Sequence, residues 1–172
     1  SLSDDSATDG NTGSIVEAVV VSKSAGVFCG RIPVDLLFAE WFPSCDLTWN
    51  VEEGGDITVG SQILSVSGPS DSVLSCERVV LNILGRLSGI ATRTSEWVSE
   101  SGGVSIACTR KTAWGLMDKW AVHVGGGLTH RLSRSDALMI KENDLSVIGS
   151  KDDIESAISS AISSIDFEES AG

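Results

Sequence analysis

Twice in this chain a short apolar run closes on charged residues and a helical segment follows. VSIACT ends in TRKT and leads to GLMDKWAVHV; SDALMI ends in KEND and leads to SKDDIESAISSAISSI. Strand–helix units in succession imply parallel strands, here predicted near 104–109 and 137–142, and an α/β fold class. In an α/β barrel the working residues stand at the C-terminal ends of the strands. Arg110, Lys111 and Lys141 occupy such positions. A complete barrel of eight units takes roughly 200 residues or more, and only about seventy follow the long helix described next. The barrel is therefore truncated, or the fold is a smaller α/β form.

Upstream of these units, Val80, Ile83, Leu84, Leu87, Ala91 and Val98 recur three or four apart, which predicts one long helix over 72–99. Gly85 and Gly89 each cost such a helix about 1 kcal/mol relative to Ala, so they are read as close-packing points. GPSDS at 68–72 reads as a loop rich in N-cap residues. Residues 14–68 read mainly as strands and turns. VDLLFAEWF forms a short helix between them, with Pro33 near its start and Pro43 at its end. The glycine-spaced DITVGSQILSVSG resembles hairpin modules that carry lipoyl or biotinyl groups, but no lysine stands at the hairpin tip. GLMDKWAVHV is stopped by the glycine run 125–127, and SKDDIESAISSAISSI is capped by Ser150.

The charge is unevenly spread. The 172 residues carry a net −12, which disfavours nucleic acid and anionic membranes as partners. Yet Arg78, Arg86, Arg93, Arg110, Lys111, Lys119, Arg131, Arg134 and Lys141 face only Glu96, Glu100, Asp118 and Asp136 between residues 78 and 141. That stretch is +5 and the remainder −17, so a basic island in an acidic chain reads as an anion site. Arg86, Arg93, Lys119 and Arg134 are taken as solvated on helix faces. No apolar run approaches the roughly 20 residues that span a bilayer. SLSDDSATDG lacks the pattern of a signal peptide, and the missing initiator Met leads us to expect a trimmed or partial chain. Cys29, Cys45, Cys76 and Cys108 form no C-x-x-C pair, so zinc is not expected. Reduced, mostly buried thiols in a cytoplasmic protein are.

ERVVLNILGRLSGIAT, TRKTAWGLMDKWAVHVGGGLTHRL and SDALMIKEND, in this order and spacing, resemble the central region of quinolinate phosphoribosyltransferases. DDSATDGNTG to SAGVFCGR and WNVEEGGDITVGSQILSVSG fit that family's N-terminal domain more loosely. The resemblance implies an α+β N-terminal sandwich (1–102) followed by the first part of a TIM-like α/β barrel (103–172). It implies phosphoribosyl transfer from phosphoribosyl pyrophosphate to quinolinate, with decarboxylation, in a homodimer or a higher multiple of dimers. Magnesium accompanies the pyrophosphate, with its ligands expected in later barrel strands. Arg78 matches the arginine that reaches quinolinate from the adjacent subunit. Thr109, Arg110 and Lys111 match the TRK substrate contacts, His130 and Arg131 the HR pair, and Lys141 the strand-end lysine. Arginine suits a planar dicarboxylate because its fork makes two parallel hydrogen bonds. Lys111 and Lys141 are assigned the catalytic share, stabilising charge as pyrophosphate leaves.

There are departures from the family pattern. HNHR is LTHR here, so Leu128 replaces one histidine; KDNH is KEND, placing Glu142 and Asp144; and TRKTTPG is TRKTAWG. The family's acidic strand ends and phosphate loops lie beyond this sequence, so a 172-residue polypeptide by itself is expected to be inactive. Competing assignments are a nicotinate phosphoribosyltransferase, the related protein of molybdate operons and, in a different class, a non-catalytic anion-binding module.

Overall fold

The computed structural model describes residues 13–130, together with Leu132, Glu155, Ser156 and Ser159. The chain divides into two compact units, Ser1–Thr129 and His130–Gly172. In the first unit, β1 (Ile15–Val21) and β3 (Asp46–Trp49) flank β5 (Gln62–Pro69) in an antiparallel sheet of order β1-β5-β3. Ile15 stands opposite Pro69, and a register shift falls between Val20 and Val21. β2 (Gly26–Val27) and β4 (Asp56–Ile57) form a separate antiparallel pair. Three helices complete the unit: α1 (Arg31–Trp41), α2 (Ser70–Glu100) and α3 (Leu116–Val124).

α2 is the spine. Its buried residues, Val73, Cys76, Val80, Leu84, Leu87, Ala91 and Thr94, fall three or four apart on one face. The first half of that face packs on Leu64 and Val66 of β5 and on Phe28, Val34 and Phe38. The second half forms a smaller cluster in which Leu87 and Ala91 meet Cys29 and Ala121 of α3. Leu87 is fully buried, and truncating such a leucine costs about 2–5 kcal/mol, more than the two helix glycines together.

Several sequence expectations change. The loop expected at 68–72 is absent: β5 runs through Pro69 and α2 begins at Ser70. Ser70 N donates to Ser14 O (3.0 Å), so the sheet's hydrogen bonding continues into the first helical residue, and no side chain caps the helix. DITVGSQILSVSG is not a hairpin, because β4 pairs with β2 while β5 pairs with β1 and β3. Among the described residues Gly85 and Gly89 are not packing points; a Cβ at either meets nothing there within 4 Å. Of the strand expected at 104–109, a single parallel bridge forms, between Ala107 and Leu128, immediately after the glycine run. The strand expected at 137–142 lies outside the described residues. Of the last expected helix only Glu155, Ser156 and Ser159 are described, and they are helical.

Candidate active site

The cationic turn starts where the parallel pairing ends. Leu128 N donates to Ile106 O (2.8 Å) and Cys108 N to Leu128 O (2.9 Å), one residue on either side of Ala107. This is the slanted exchange of a parallel ladder. Thr129 O then accepts from Cys108 Sγ (2.8 Å) and Lys119 Nζ (2.7 Å), which fastens the end of the pair to α3. Thr109, Arg110 and Lys111 follow at once, all exposed. Lys111 N donates to Thr109 Oγ1 (3.2 Å), and Thr112 Oγ1 to Gly115 O (3.0 Å), so the segment folds into a turn before entering α3. Among the described residues neither Arg110 nor Lys111 forms an ion pair. An anion arriving here meets two cations not already claimed by a carboxylate.

Two cations of the basic island that the sequence assigns to solvent do other work. Arg86 binds Asp118 with both edges of its fork, Nε to Oδ1 at 2.8 Å and Nη2 to Oδ2 at 2.9 Å, and its guanidinium lies 4.9 Å from the Trp114 ring centre. Hydrogen bonding from Arg86 holds the Asp118 carboxyl below the usual carboxylate range against the opposing effect of burial, helped by the backbone amides of Trp114 and Ala113. The same bond raises the Arg86 guanidinium above its ordinary value. Lys119 is buried, its ammonium on Thr129 O. The partners lie 32 residues apart for Arg86 and ten for Lys119, on other elements, so helix-face reasoning misses them. Arg93 is exposed as expected and pairs with Glu96.

Arg78 is exposed on the N-terminal half of α2, and no hydrogen bond or ion pair joins it to Thr109, Arg110 or Lys111. It lies eight residues, about 12 Å along the axis, from Arg86. His130 is half-buried and follows Thr129 with a left-handed backbone (φ 57°). Arg131, Arg134, Lys141, Glu142 and Asp144 lie outside the described residues. Leu128 contributes its backbone to the bridge and leaves its side chain exposed. Among the described residues no group of three or more His, Cys, Asp or Glu comes together. Cys29, Cys45, Cys76 and Cys108 are free thiols, two of them buried.

An antiparallel sheet, a long helix and a parallel bridge followed by a cationic turn define an α/β protein. The family description "Quinolinate phosphoribosyl transferase, N-terminal domain" matches residues 5–88, and its C-terminal counterpart matches residues 90–170. A quinolinate phosphoribosyltransferase (decarboxylating) of Nicotiana tabacum is 38% identical over 152 residues, 87% of this chain and 41% of the relative. A probable nicotinate-nucleotide pyrophosphorylase (carboxylating) of Archaeoglobus fulgidus is 42% identical over 141 residues, 78% of this chain and 54% of the relative. The crystal structure of NadC from Streptococcus pyogenes superposes with a TM-score of 0.78 at 33% identity, covering 92% of this chain and 57% of that one. The chain belongs to the quinolinate phosphoribosyltransferase family. It spans about two fifths to just over half the length of these relatives. No helix among the described residues is long and apolar enough to cross a membrane.

Proposed function

We propose that the chain is the N-terminal domain and first barrel segment of an enzyme that joins quinolinate to phosphoribosyl pyrophosphate. The products are nicotinate mononucleotide, pyrophosphate and carbon dioxide. The observation that carries this reading is the exposed Thr109–Arg110–Lys111 turn directly after a parallel bridge, with two cations that form no ion pair among the described residues, in a chain of net charge −12. Arg110, with Arg131 and an Arg78 from the adjacent subunit, binds the two carboxylates, and Thr109 and His130 add hydrogen bonds. The quinolinate nitrogen attacks the sugar's anomeric carbon as the carbon–oxygen bond to pyrophosphate breaks. The electron pair leaves with pyrophosphate, and Lys111 and Lys141 stabilise that charge. Loss of the neighbouring carboxylate as carbon dioxide leaves a carbon that takes up a proton. Magnesium, accompanying the pyrophosphate, would lower its charge.

The domain boundary is proposed at 102/103. α2 ends at Glu100, and the chain then turns through Gly102 and Gly103, both with left-handed backbones (φ 62° and 93°). A homodimer, or a multiple of it, is supported by apolar side chains beside Arg78 that the single chain leaves exposed: Leu74, Val79 and Leu81 on α2. Free thiols support a cytoplasmic site of action. The test is turnover by the full-length enzyme with phosphoribosyl pyrophosphate and magnesium. Quinolinate is expected to yield nicotinate mononucleotide and carbon dioxide in equal amounts. Turnover of nicotinate in preference to quinolinate would assign the site to the monocarboxylate instead.

A further inference from the structure

The turn that carries Thr109, Arg110 and Lys111 is stabilised internally by two short-range bonds, Lys111 N to Thr109 Oγ1 and Thr112 Oγ1 to Gly115 O. Such bonds shape the turn but move with it. Asp118 adds a polar attachment to the spine. Asp118 Oδ2 accepts from Trp114 N at 2.9 Å, and the Ala113 amide also reaches the carboxylate. Arg86, on α2, grips both oxygens of that carboxylate and covers the Trp114 ring. A carboxylate is the right acceptor for two converging amides, because its oxygens offer several lone pairs. Unpaired, this carboxylate would be a lone buried charge and would add negative charge to the helix that follows the cationic turn. Arg86 removes both problems by neutralising it with a planar fork. The Asp118 side chain is 6% exposed and that of Arg86 35%, so water screens the pair little on the acid's side.

We infer that Arg86 and Asp118 are positioning residues that hold the Thr109–Lys111 turn in its substrate-binding orientation. The inference rests on the reading of that turn as the quinolinate site. Neither residue touches substrate; both act through the backbone of residues 113 and 114.

The experiment uses the full-length enzyme and three variants: Arg86→Lys, Asp118→Asn and the double variant Arg86→Gln/Asp118→Asn. Arg86→Lys keeps the charge and loses the fork. The double variant leaves no buried charge alone, so it stays readable where a single variant fails to fold. Two quantities are measured on the folded enzyme: the steady-state constants for quinolinate, and the rate of tryptic cleavage after Arg110 and Lys111 relative to cleavage elsewhere. KM for quinolinate is expected to rise about tenfold and kcat to fall with it, because misplacing the turn weakens both binding by Arg110 and the charge stabilisation assigned to Lys111. Cleavage after Arg110 and Lys111 is expected to accelerate selectively. Folded variants with a lowered melting temperature but wild-type KM overturn the inference, and so does wild-type cleavage within the turn. A wild-type enzyme that does not turn over quinolinate overturns the parent reading instead, and the cleavage comparison still decides whether the clasp holds the turn.

Discussion

Glu53 solves a local problem that its neighbours in sequence cannot. α1 begins at Arg31 behind Gly30, whose φ of 129° and proximity to Leu84 (3.0 Å from a built Cβ) exclude a capping side chain at that position. The first amides of α1 therefore need an acceptor from elsewhere. Glu53 supplies it, accepting from Gly30 N (3.1 and 3.2 Å) and Arg31 N (2.9 Å), and from Cys29 Sγ (3.2 Å) and Trp120 Nε1 of α3 (2.8 Å). Burial, then the nearby Glu53 charge and its hydrogen bond, push the Cys29 thiol well above its ordinary value. Glu53→Ala is expected to cost about 1.5–3 kcal/mol, the range for hydrogen bonds to a charged acceptor, read as a lower midpoint in chemical denaturation. An unchanged midpoint would mean that water serves the helix end equally well. None of this is visible in VEEGGD, because the partners lie 22 to 67 residues away. The Thr109–Lys111 turn is legible for the opposite reason: it is a contiguous polar motif that directly follows a local apolar run.

At the scale of elements, the glycine run 125–127 does more than stop α3. A Cβ at Gly125 would collide with the Ala91 carbonyl oxygen, and one at Gly127 would meet Val122 and Thr94 at 2.7 and 2.8 Å. Gly126 has a left-handed backbone (φ 86°). The run thus lets α3 lie directly on the α2 backbone and then returns the chain to pair with residue 107. Gly85 and Gly89 are the converse, since both face open space. Gly125→Ala is expected to destabilise by about 1–3 kcal/mol, because backbone must move to make room. Gly89→Ala is expected to stabilise the isolated chain by about 0.5–1 kcal/mol through helix propensity alone. Thermal unfolding of both variants checks the contrast; similar shifts of the same sign would refute it. α2 is legible because a 3.6-residue apolar period survives along it, and α3 because the glycine run stops it. Strand partners were not: β4 and β5 are adjacent in sequence yet join different sheets, and residues 106–108 pair with a segment that looked like a helix stop.

For the molecule as a whole, the basic island shrinks once its pairs are assigned. Arg86 is bound to Asp118, Arg93 to Glu96 and Lys119 to the Thr129 carbonyl, which leaves Arg78, Arg110 and Lys111 as the island's exposed cations without an ion pair among the described residues. Arg110 and Lys111 share a turn. Arg78 stands apart on α2, among exposed Leu74, Val79 and Leu81. An arginine set in an apolar surface is poorly placed to serve water alone and well placed for an interface, where arginine is enriched. If a second subunit covers this surface, each dicarboxylate site takes Arg110 from one chain and Arg78 from the other. Arg78→Ala and Arg110→Ala homodimers of the full-length enzyme would then each lack one element at both sites. A mixed dimer would carry one intact site and one lacking both arginines. Mixing the two inactive proteins under conditions of subunit exchange is therefore expected to restore up to about a quarter of wild-type activity: random pairing makes half the dimers mixed, each with one working site of two. Exchange is followed independently by native mass spectrometry. Mixed dimers without recovered activity would place Arg78 at its own chain's site or outside the reaction.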